Sequence, residues 1–205
     1  MTDSHLQQAA HELADAGRQL HARGWVPATS GNFSIRLPDD RIAITVSGKH
    51  KGCLTPEDIM LVDADGRALD HRKPSAETLL HTSIYRAFPN VAAVLHPHSL
   101  NASLASRLFG DAIVIENCEL LKALEGITTH ASRVTIPIFA NDQNIPLLAA
   151  RVDAYVDQHP DIKAYIIADH GFYTWGTTMQ DALRHVEALE FLFDLEIRWH
   201  GVKRA

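Results

Sequence analysis

Short apolar runs of strand character alternate along the whole chain with longer segments of helical periodicity, and this alternation is the strongest constraint on the fold. The strand-type runs are FSIRL, RIAITV, IMLVD, AAVLH, AIVIE, AYIIA and FYTW. Helical spacing or helix starts occur in residues 4–23, after Pro74-Ser75, after Ser99, near 119–124, around 147–156 and from Thr177 onward. Interleaving without internal repeats predicts one α/β domain over residues 1–205, with helices on both sides of a mixed sheet.

The composition excludes several classes of function. The chain has 205 residues, 46% of them hydrophobic, and a formal net charge of −6 with no cluster of Lys and Arg, which argues against nucleic acid as a partner. No apolar stretch is long enough to span a bilayer, so no membrane partner is expected. Cys53 and Cys118 form no CxxC pair, which favours a reducing, cytoplasmic location.

Three histidines at strand ends suggest a metal site. His96 and His98 follow the apolar run AAVL, and alternate side chains of an extended backbone point the same way. Because the chain has thirteen histidines, about one HxH pair is expected by chance, so the pair alone is weak evidence. His170 ends another apolar strand and supplies a third candidate. Three histidines with an open fourth position are typical of a catalytic zinc ion.

Three small-residue turns offer a binding site for an anion. They are Thr29-Ser30-Gly31-Asn32, Ser47-Gly48-Lys49 and the helix start at Pro74-Ser75-Ala76. Hydroxyls, exposed backbone N–H groups and a helix dipole together can bind phosphate without a long basic side chain. Each turn taken alone is more simply an ordinary turn or helix cap.

Two carboxylates are candidates for acid–base chemistry. Glu77 is expected in the first turn of its helix, where the macrodipole favours an acidic residue without any catalytic role. Glu119 follows a strand at a strand-to-helix junction, with Glu116 as a nearby alternative. Position in the sequence alone does not choose between them.

Six motifs in a specific order resemble the class II aldolase and adducin-head superfamily. They are GWVPATSGNFSIR, ITVSGKHKGCLTPEDIMLVDADG, KPSAETLLH, VLHPHS, IENCELLKALEG and DHGFYTWG. The resemblance covers nearly the whole chain and implies a largely antiparallel sheet. It also implies one zinc ion per chain held by His96, His98 and His170, and substrate phosphate bound by Asn32, Ser47, Gly48 and Ser75. Many relatives carry a second serine where this chain has Ala76, so that contact would rest on the backbone N–H.

Within the superfamily, the GWVPATSGN, SGKHKG and CELLKALEG segments resemble the dehydratase branch. The resemblance implies a zinc-dependent lyase of methionine salvage that removes water from 5-methylthioribulose 1-phosphate, and a homotetramer. In that branch the acid/base matches Glu119, whereas in the aldolases it matches Glu77. The alternatives are a class II sugar-phosphate aldolase, a pentulose-phosphate 4-epimerase and a non-catalytic binding module like the adducin head.

Overall fold

Eight strands and five α-helices are interleaved in the computed structural model, which describes residues 4–204. The helices are α1 (Ser4–Ala22), α2 (Thr78–Ala87), α3 (Leu100–Leu108), α4 (Ile145–Gln158) and α5 (Met179–Arg204). The strands are β1 (Asn32–Arg36), β2 (Ile42–Thr45), β3 (Ile59–Val62), β4 (Ala93–His96), β5 (Ala112–Glu116), β6 (Arg133–Phe139), β7 (Ala164–Ile167) and β8 (Gly171–Gly176). Short 3₁₀ turns lie at Lys51–Cys53, Pro56–Asp58 and Glu119–Ala123.

The strands form one sheet in the order β3-β2-β1-β4-β8-β7-β6-β5. Neighbouring strands are antiparallel except β6 and β7, which are parallel because α4 connects them as a crossover. The predicted α/β class, with a mixed and largely antiparallel sheet, is confirmed. The predicted domain span of 1–205 extends at each end beyond the residues that the structure describes.

Each face of the sheet is covered by its own set of helices. One core joins the buried faces of α1, α3 and α5 to side chains such as Phe33 and Leu95. The other joins α2 and α4 to Val94 and Tyr173. Side chains alternate across a strand, so His96, two residues after Val94, lies on the α2 side. The predicted placement of helices on both faces is therefore confirmed.

The second half of α5 is apolar on more than one side. Leu189, Leu192 and Phe193 are buried, whereas Phe191 and Trp199 are about half exposed at 55% and 50%. No helix within residues 4–204 has a stretch both long enough and apolar enough to cross a membrane.

Three predicted boundaries are wrong in detail. The helix expected from Pro74-Ser75 begins at Thr78, so Glu77 precedes its first turn. The segment at Glu119 is a short 3₁₀ turn. The last helix, expected from Thr177 onward, begins at Met179, and the Asp181 N–H donates to the hydroxyl of the preceding Thr178 at 3.0 Å. Both threonine hydroxyls donate to the Asp181 carboxylate at 2.8 Å, which explains the shift.

Gly17 fixes how closely α1 packs against the Lys51–Cys53 turn. A Cβ atom at Gly17 would lie 2.4 Å from the Lys51 carbonyl oxygen and 2.9 Å from Leu54 Cδ1. The first contact is to backbone, which a rotamer change cannot relieve. The close approach therefore sets the position of Lys51.

We expect Gly17→Ala to lower the free energy of unfolding by about 1–3 kcal/mol, because overpacking outweighs the gain in helix propensity. Gly201→Ala in α5 is the matched control, since a Cβ there would meet no heavy atom within 4 Å. Urea unfolding of both variants measures the difference. A Gly17→Ala variant as stable as Gly201→Ala would contradict this packing.

Candidate metal centre

His96 and His98 are held at the end of β4 by backbone hydrogen bonds to two other segments. The His98 N–H donates to the Trp25 carbonyl at 2.9 Å, and the Phe172 N–H donates to the Pro97 carbonyl at 3.1 Å. The two imidazole rings lie 4.6 Å apart, centroid to centroid. The convergence expected from the HxH spacing is present.

His170 reaches the same place from the turn between β7 and β8. The next residue, Gly171, packs so closely on β4 that a Cβ atom would lie 2.3 Å from the Pro97 carbonyl oxygen. This contact places the His170 ring 5.1 Å from His96 and 4.4 Å from His98. Glycine is therefore required beside His170 for steric reasons.

Glu77 joins the three histidines from the residue before α2. One potential ligand atom from each of Glu77, His96, His98 and His170 lies within 4.8 Å of all the others. Glu77 Oε1 is 3.0 Å from His170 Nε2, and Glu77 Oε2 is 3.3 Å from His96 Nε2. The cluster is buried or half-buried throughout.

The donor set fits a divalent metal ion. His96 Nδ1–H donates to the Phe172 carbonyl at 2.9 Å, which fixes the tautomer and leaves Nε2 as an acceptor. The Nε2 atoms of His96 and His98 are buried and make no hydrogen bond within the described part of the chain. Buried polar atoms are normally paired, and a metal ion would satisfy both nitrogens.

Electrostatics keep Glu77 ionised and His98 neutral. Burial alone would raise the pKa of the Glu77 carboxyl, but positive charge and hydrogen bonding from the His96 and His170 imidazoles, a role that a bound cation would take over, lower that pKa far below its usual range. Burial, with His96 and His170 nearby, lowers the pKa of His98 to about 2. Metal ligands must be deprotonated, and both groups are in that form near neutral pH.

A chain of buried hydrogen bonds holds the Glu77 carboxylate. The Asn32 side-chain amide donates to Glu77 Oε2 at 2.7 Å, and His81 Nε2–H donates to the Asn32 Oδ1 atom. The Ser34 hydroxyl then donates to His81 Nδ1 at 2.7 Å and accepts from the Tyr85 hydroxyl at 2.8 Å. Burial lowers the pKa of His81 to about 3, so its ring is neutral, as this arrangement requires. In this series of hydrogen bonds, each group donates to the next group on the way to Glu77.

A cavity of about 240 Å³ lies beside the metal cluster. Its walls bring together the four residues predicted to bind phosphate and three members of the metal cluster: Asn32, Ser47, Gly48, Ser75, Glu77, His98 and His170. Gly31 bends the first turn with φ = 77°, and a Cβ there would lie 2.8 Å from the His96 carbonyl oxygen. The anion turns and the metal cluster therefore share one cavity.

Some predicted residues have surroundings that the sequence did not indicate. The Asn32 amide is engaged by Glu77 and His81, so its contact with phosphate stays a prediction. Ser75 lies in the turn before α2 rather than within a helix. Glu119 is exposed, pairs with Lys122 and does not line the cavity.

Two further residues at the site lie outside the set of candidates predicted from the sequence. Lys51 lines the cavity although a lysine beside a glycine turn is usually solvated. His81 is fully buried behind Asn32, four residues after Glu77 in α2. The helical spacing of Glu77 and His81 is the one sequence signal that could have linked them.

Two relatives that match this chain over nearly their whole length carry the same name. The chain is 65% identical over 204 residues to the methylthioribulose-1-phosphate dehydratase of Methylococcus capsulatus, covering 100% of both chains. It is 52% identical over 198 residues to the methylthioribulose-1-phosphate dehydratase of Pseudomonas syringae pv. tomato, covering 96% of this chain and 97% of that one.

The fold is similar to that of a solved structure with lower identity. The crystal structure of YgbL from Escherichia coli superposes with a TM-score of 0.79 at 28% identity, covering 93% of this chain and 88% of that one. The family described as the class II aldolase and adducin N-terminal domain matches residues 11–197. The chain therefore belongs to the class II aldolase and adducin N-terminal domain family.

Proposed function

We propose that this chain is a zinc-dependent methylthioribulose-1-phosphate dehydratase of methionine salvage, acting in the cytoplasm. The observation that carries the proposal is that a Glu-His₃ cluster and small-residue turns suited to phosphate meet at the same cavity. The full-length identity of 65% to a relative of that name supports the choice of substrate. The expected product is the 2,3-diketo-5-methylthiopentyl 1-phosphate.

His96, His98 and His170 would hold the zinc ion, with Glu77 beside it as a fourth ligand or a neighbouring carboxylate. A zinc ion bound there supplies Lewis acidity to a substrate carbonyl oxygen, which makes the adjacent C–H more acidic. Ser47, Gly48, Ser75 and Asn32 would bind the phosphate and thereby place the C2 carbonyl toward the histidines. Phosphate lies away from the breaking bonds, so these contacts contribute mainly to substrate affinity.

We expect one zinc ion per chain, and we expect His98→Ala to reduce the zinc content to a small fraction of that. The reason is that a three-histidine site loses a direct ligand. His71→Ala is the control, because His71 is exposed and outside the cluster. Elemental analysis after dialysis measures zinc, and circular dichroism checks the fold. Unchanged zinc in folded His98→Ala would refute the ligand assignment.

The reaction needs a base that removes the proton at C3 and an acid that protonates the departing C4 hydroxyl. The resemblance assigns this proton transfer to Glu119, whereas within one chain Glu77 is the carboxylate at the cavity. We propose that Glu77 belongs to the metal centre and that Glu119 shuttles the proton, presented to the cavity by a neighbouring copy. This reconciles the assigned role of Glu119 with its exposure at the surface.

We expect Glu119→Gln to keep zinc and to lose about a hundred- to ten-thousand-fold in turnover, the usual contribution of a positioned acid–base group. Glu116→Gln is the matched control, since Glu116 is a nearby exposed carboxylate that pairs with Arg133 at 3.1 Å. Glu77→Gln should lower zinc content together with activity. Steady-state formation of the diketone from methylthioribulose 1-phosphate measures turnover, and elemental analysis measures zinc.

Three outcomes of the same assay would overturn parts of the proposal. An active Glu119→Gln alongside an inactive Glu77→Gln that retains zinc would make Glu77 the acid/base. Aldol cleavage products in place of the diketone would favour a sugar-phosphate aldolase. A zinc-loaded wild-type protein that leaves the substrate unchanged would refute the dehydratase.

An exposed apolar surface supports association between copies of the chain, which the proposed homotetramer requires. The packed pair of α3 and α5 leaves these side chains at least 39% exposed: Leu100, Leu104, Leu108, Phe191, Leu195, Trp199 and Val202. Exposed apolar side chains gathered on one packed pair of helices are a common mark of a protein interface. A second copy of the chain would bury it.

We expect complementation between two inactive variants, because Glu119 would act on the cavity of a neighbour. Co-expressed His98→Ala and Glu119→Gln chains, purified through two different tags, should regain part of the wild-type turnover. Some cavities would then combine an intact metal centre with a neighbour's Glu119. Each variant purified alone is the control. Mixed oligomers that remain inactive, or a monomeric mass by light scattering, would contradict the proposal.

A further inference from the structure

Lys51 is a buried cation without a carboxylate partner. The residue is only 2% exposed, and its ammonium donates to the Thr29 carbonyl at 3.0 Å and to the Lys49 carbonyl at 2.6 Å. No carboxylate within residues 4–204 forms an ion pair with it. An ammonium group has three N–H donors, so these two carbonyls leave one donor for another acceptor.

Such a charge is unfavourable without a ligand. Burial of an ammonium group carries a large desolvation penalty unless a counter-charge compensates it. Burial lowers the pKa of Lys51 to about 8, so the amine is still mostly charged at neutral pH. An anion bound next to the ammonium would remove much of this penalty.

Lys49 shows the ordinary alternative two residues away. Its side chain is 54% exposed and pairs with Asp58 at 2.8 Å, as surface lysines commonly do. The buried position of Lys51 follows from the packing of its backbone against Gly17, which draws the turn under α1. Two lysines on one loop thus differ in environment, since Lys49 is exposed and ion-paired whereas Lys51 is buried without a carboxylate partner among the described residues.

The ammonium of Lys51 connects the two glycine turns of the cavity. Thr29 belongs to the first turn, Lys49 belongs to the second, and Lys51 lines the cavity between them together with Ser47 and Gly48. Hydroxyl and backbone N–H groups can orient phosphate oxygens but carry no full charge. The cavity wall formed by these turns therefore has one buried positive charge available for an anion.

We propose that Lys51 is the cation that binds the phosphate of the substrate at the Thr29–Gly31 and Ser47–Gly48 turns. The proposal rests on the proposed function in that it takes the ligand to be a phosphate monoester. It adds a charged residue to a site otherwise formed by neutral groups. The competing interpretation is a purely structural lysine that ties the two turns together through their carbonyls.

Titration calorimetry with inorganic phosphate on zinc-loaded protein tests the proposal. Lys51→Gln retains amide donors for the two carbonyls but removes the charge, whereas Lys51→Met removes both. We expect each to weaken phosphate binding by about 10- to 150-fold, the usual effect of a charge-assisted hydrogen bond. Lys203→Met is the control, because Lys203 is exposed in the last turn of α5 and does not line the cavity, and it should bind phosphate as the wild type does.

The same titration on zinc-free His98→Ala protein, with and without Lys51→Gln, separates the turns from the metal. The loss caused by Lys51→Gln should persist there. Wild-type phosphate affinity in folded Lys51→Gln would overturn the proposal. If only Lys51→Met lost affinity for phosphate, Lys51 would be a purely structural lysine, and the proposal would be overturned as well. Absence of phosphate binding by the wild type would also overturn it. Failure of the dehydration assay with Lys51-dependent phosphate binding intact would reject only the substrate assignment.

Discussion

The structure around the site depends on one buried carboxylate. Glu77 is 8% exposed and is surrounded by imidazoles rather than by a guanidinium or ammonium group among residues 4–204. A buried carboxylate is costly unless hydrogen bonds and positive charge compensate it. Asn32 supplies the hydrogen bond, and a bound divalent cation would supply the charge. The same cation would also satisfy the unpaired nitrogens of His96 and His98.

The need to stabilise the buried Glu77 carboxylate links segments that are distant in the sequence. Asn32 begins β1 and His96 ends β4, and the two residues are directly paired in the antiparallel register. Ser34 and Val94 form the next pair on the same face, so the Asn32–His81–Ser34 chain runs beneath α2. A register shift of one residue would turn Asn32 and His96 to the opposite face of the sheet. Sheet register and metal geometry are therefore coupled.

The features that were predicted correctly depend on residues close together in the sequence. The alternation of strands and helices indicated the α/β class, and the HxH spacing placed His96 and His98 side by side. The place of Glu77 in the metal cluster and the burial of Lys51 were not predicted, because both depend on long-range contacts. Glu77 is bonded to Asn32, which lies 45 residues away in the sequence, and Lys51 is buried by the packing of α1 at Gly17.

For Glu119 the sequence resemblance implies a role at the site that the structure of a single chain does not explain. The resemblance gives it a role in proton transfer, but a single chain leaves it at the surface beside Lys122. In the proposed oligomer a neighbouring copy would lie opposite Glu119, and neither periodicity nor composition predicts how copies of a chain assemble. Two pairs of identical residue types therefore differ in burial. Glu77 and Lys51 are buried, whereas Glu119 and Lys49 are exposed.

The most direct test of this account is a crystal structure of the zinc-loaded protein with anomalous data at the zinc absorption edge. The account predicts one strong peak per chain between His96, His98 and His170, at about 2.0–2.1 Å from one nitrogen of each imidazole. It also predicts the Glu77 carboxylate beside that peak, still bonded to Asn32. A peak at another place in the chain, or none in protein shown to contain zinc, would contradict it.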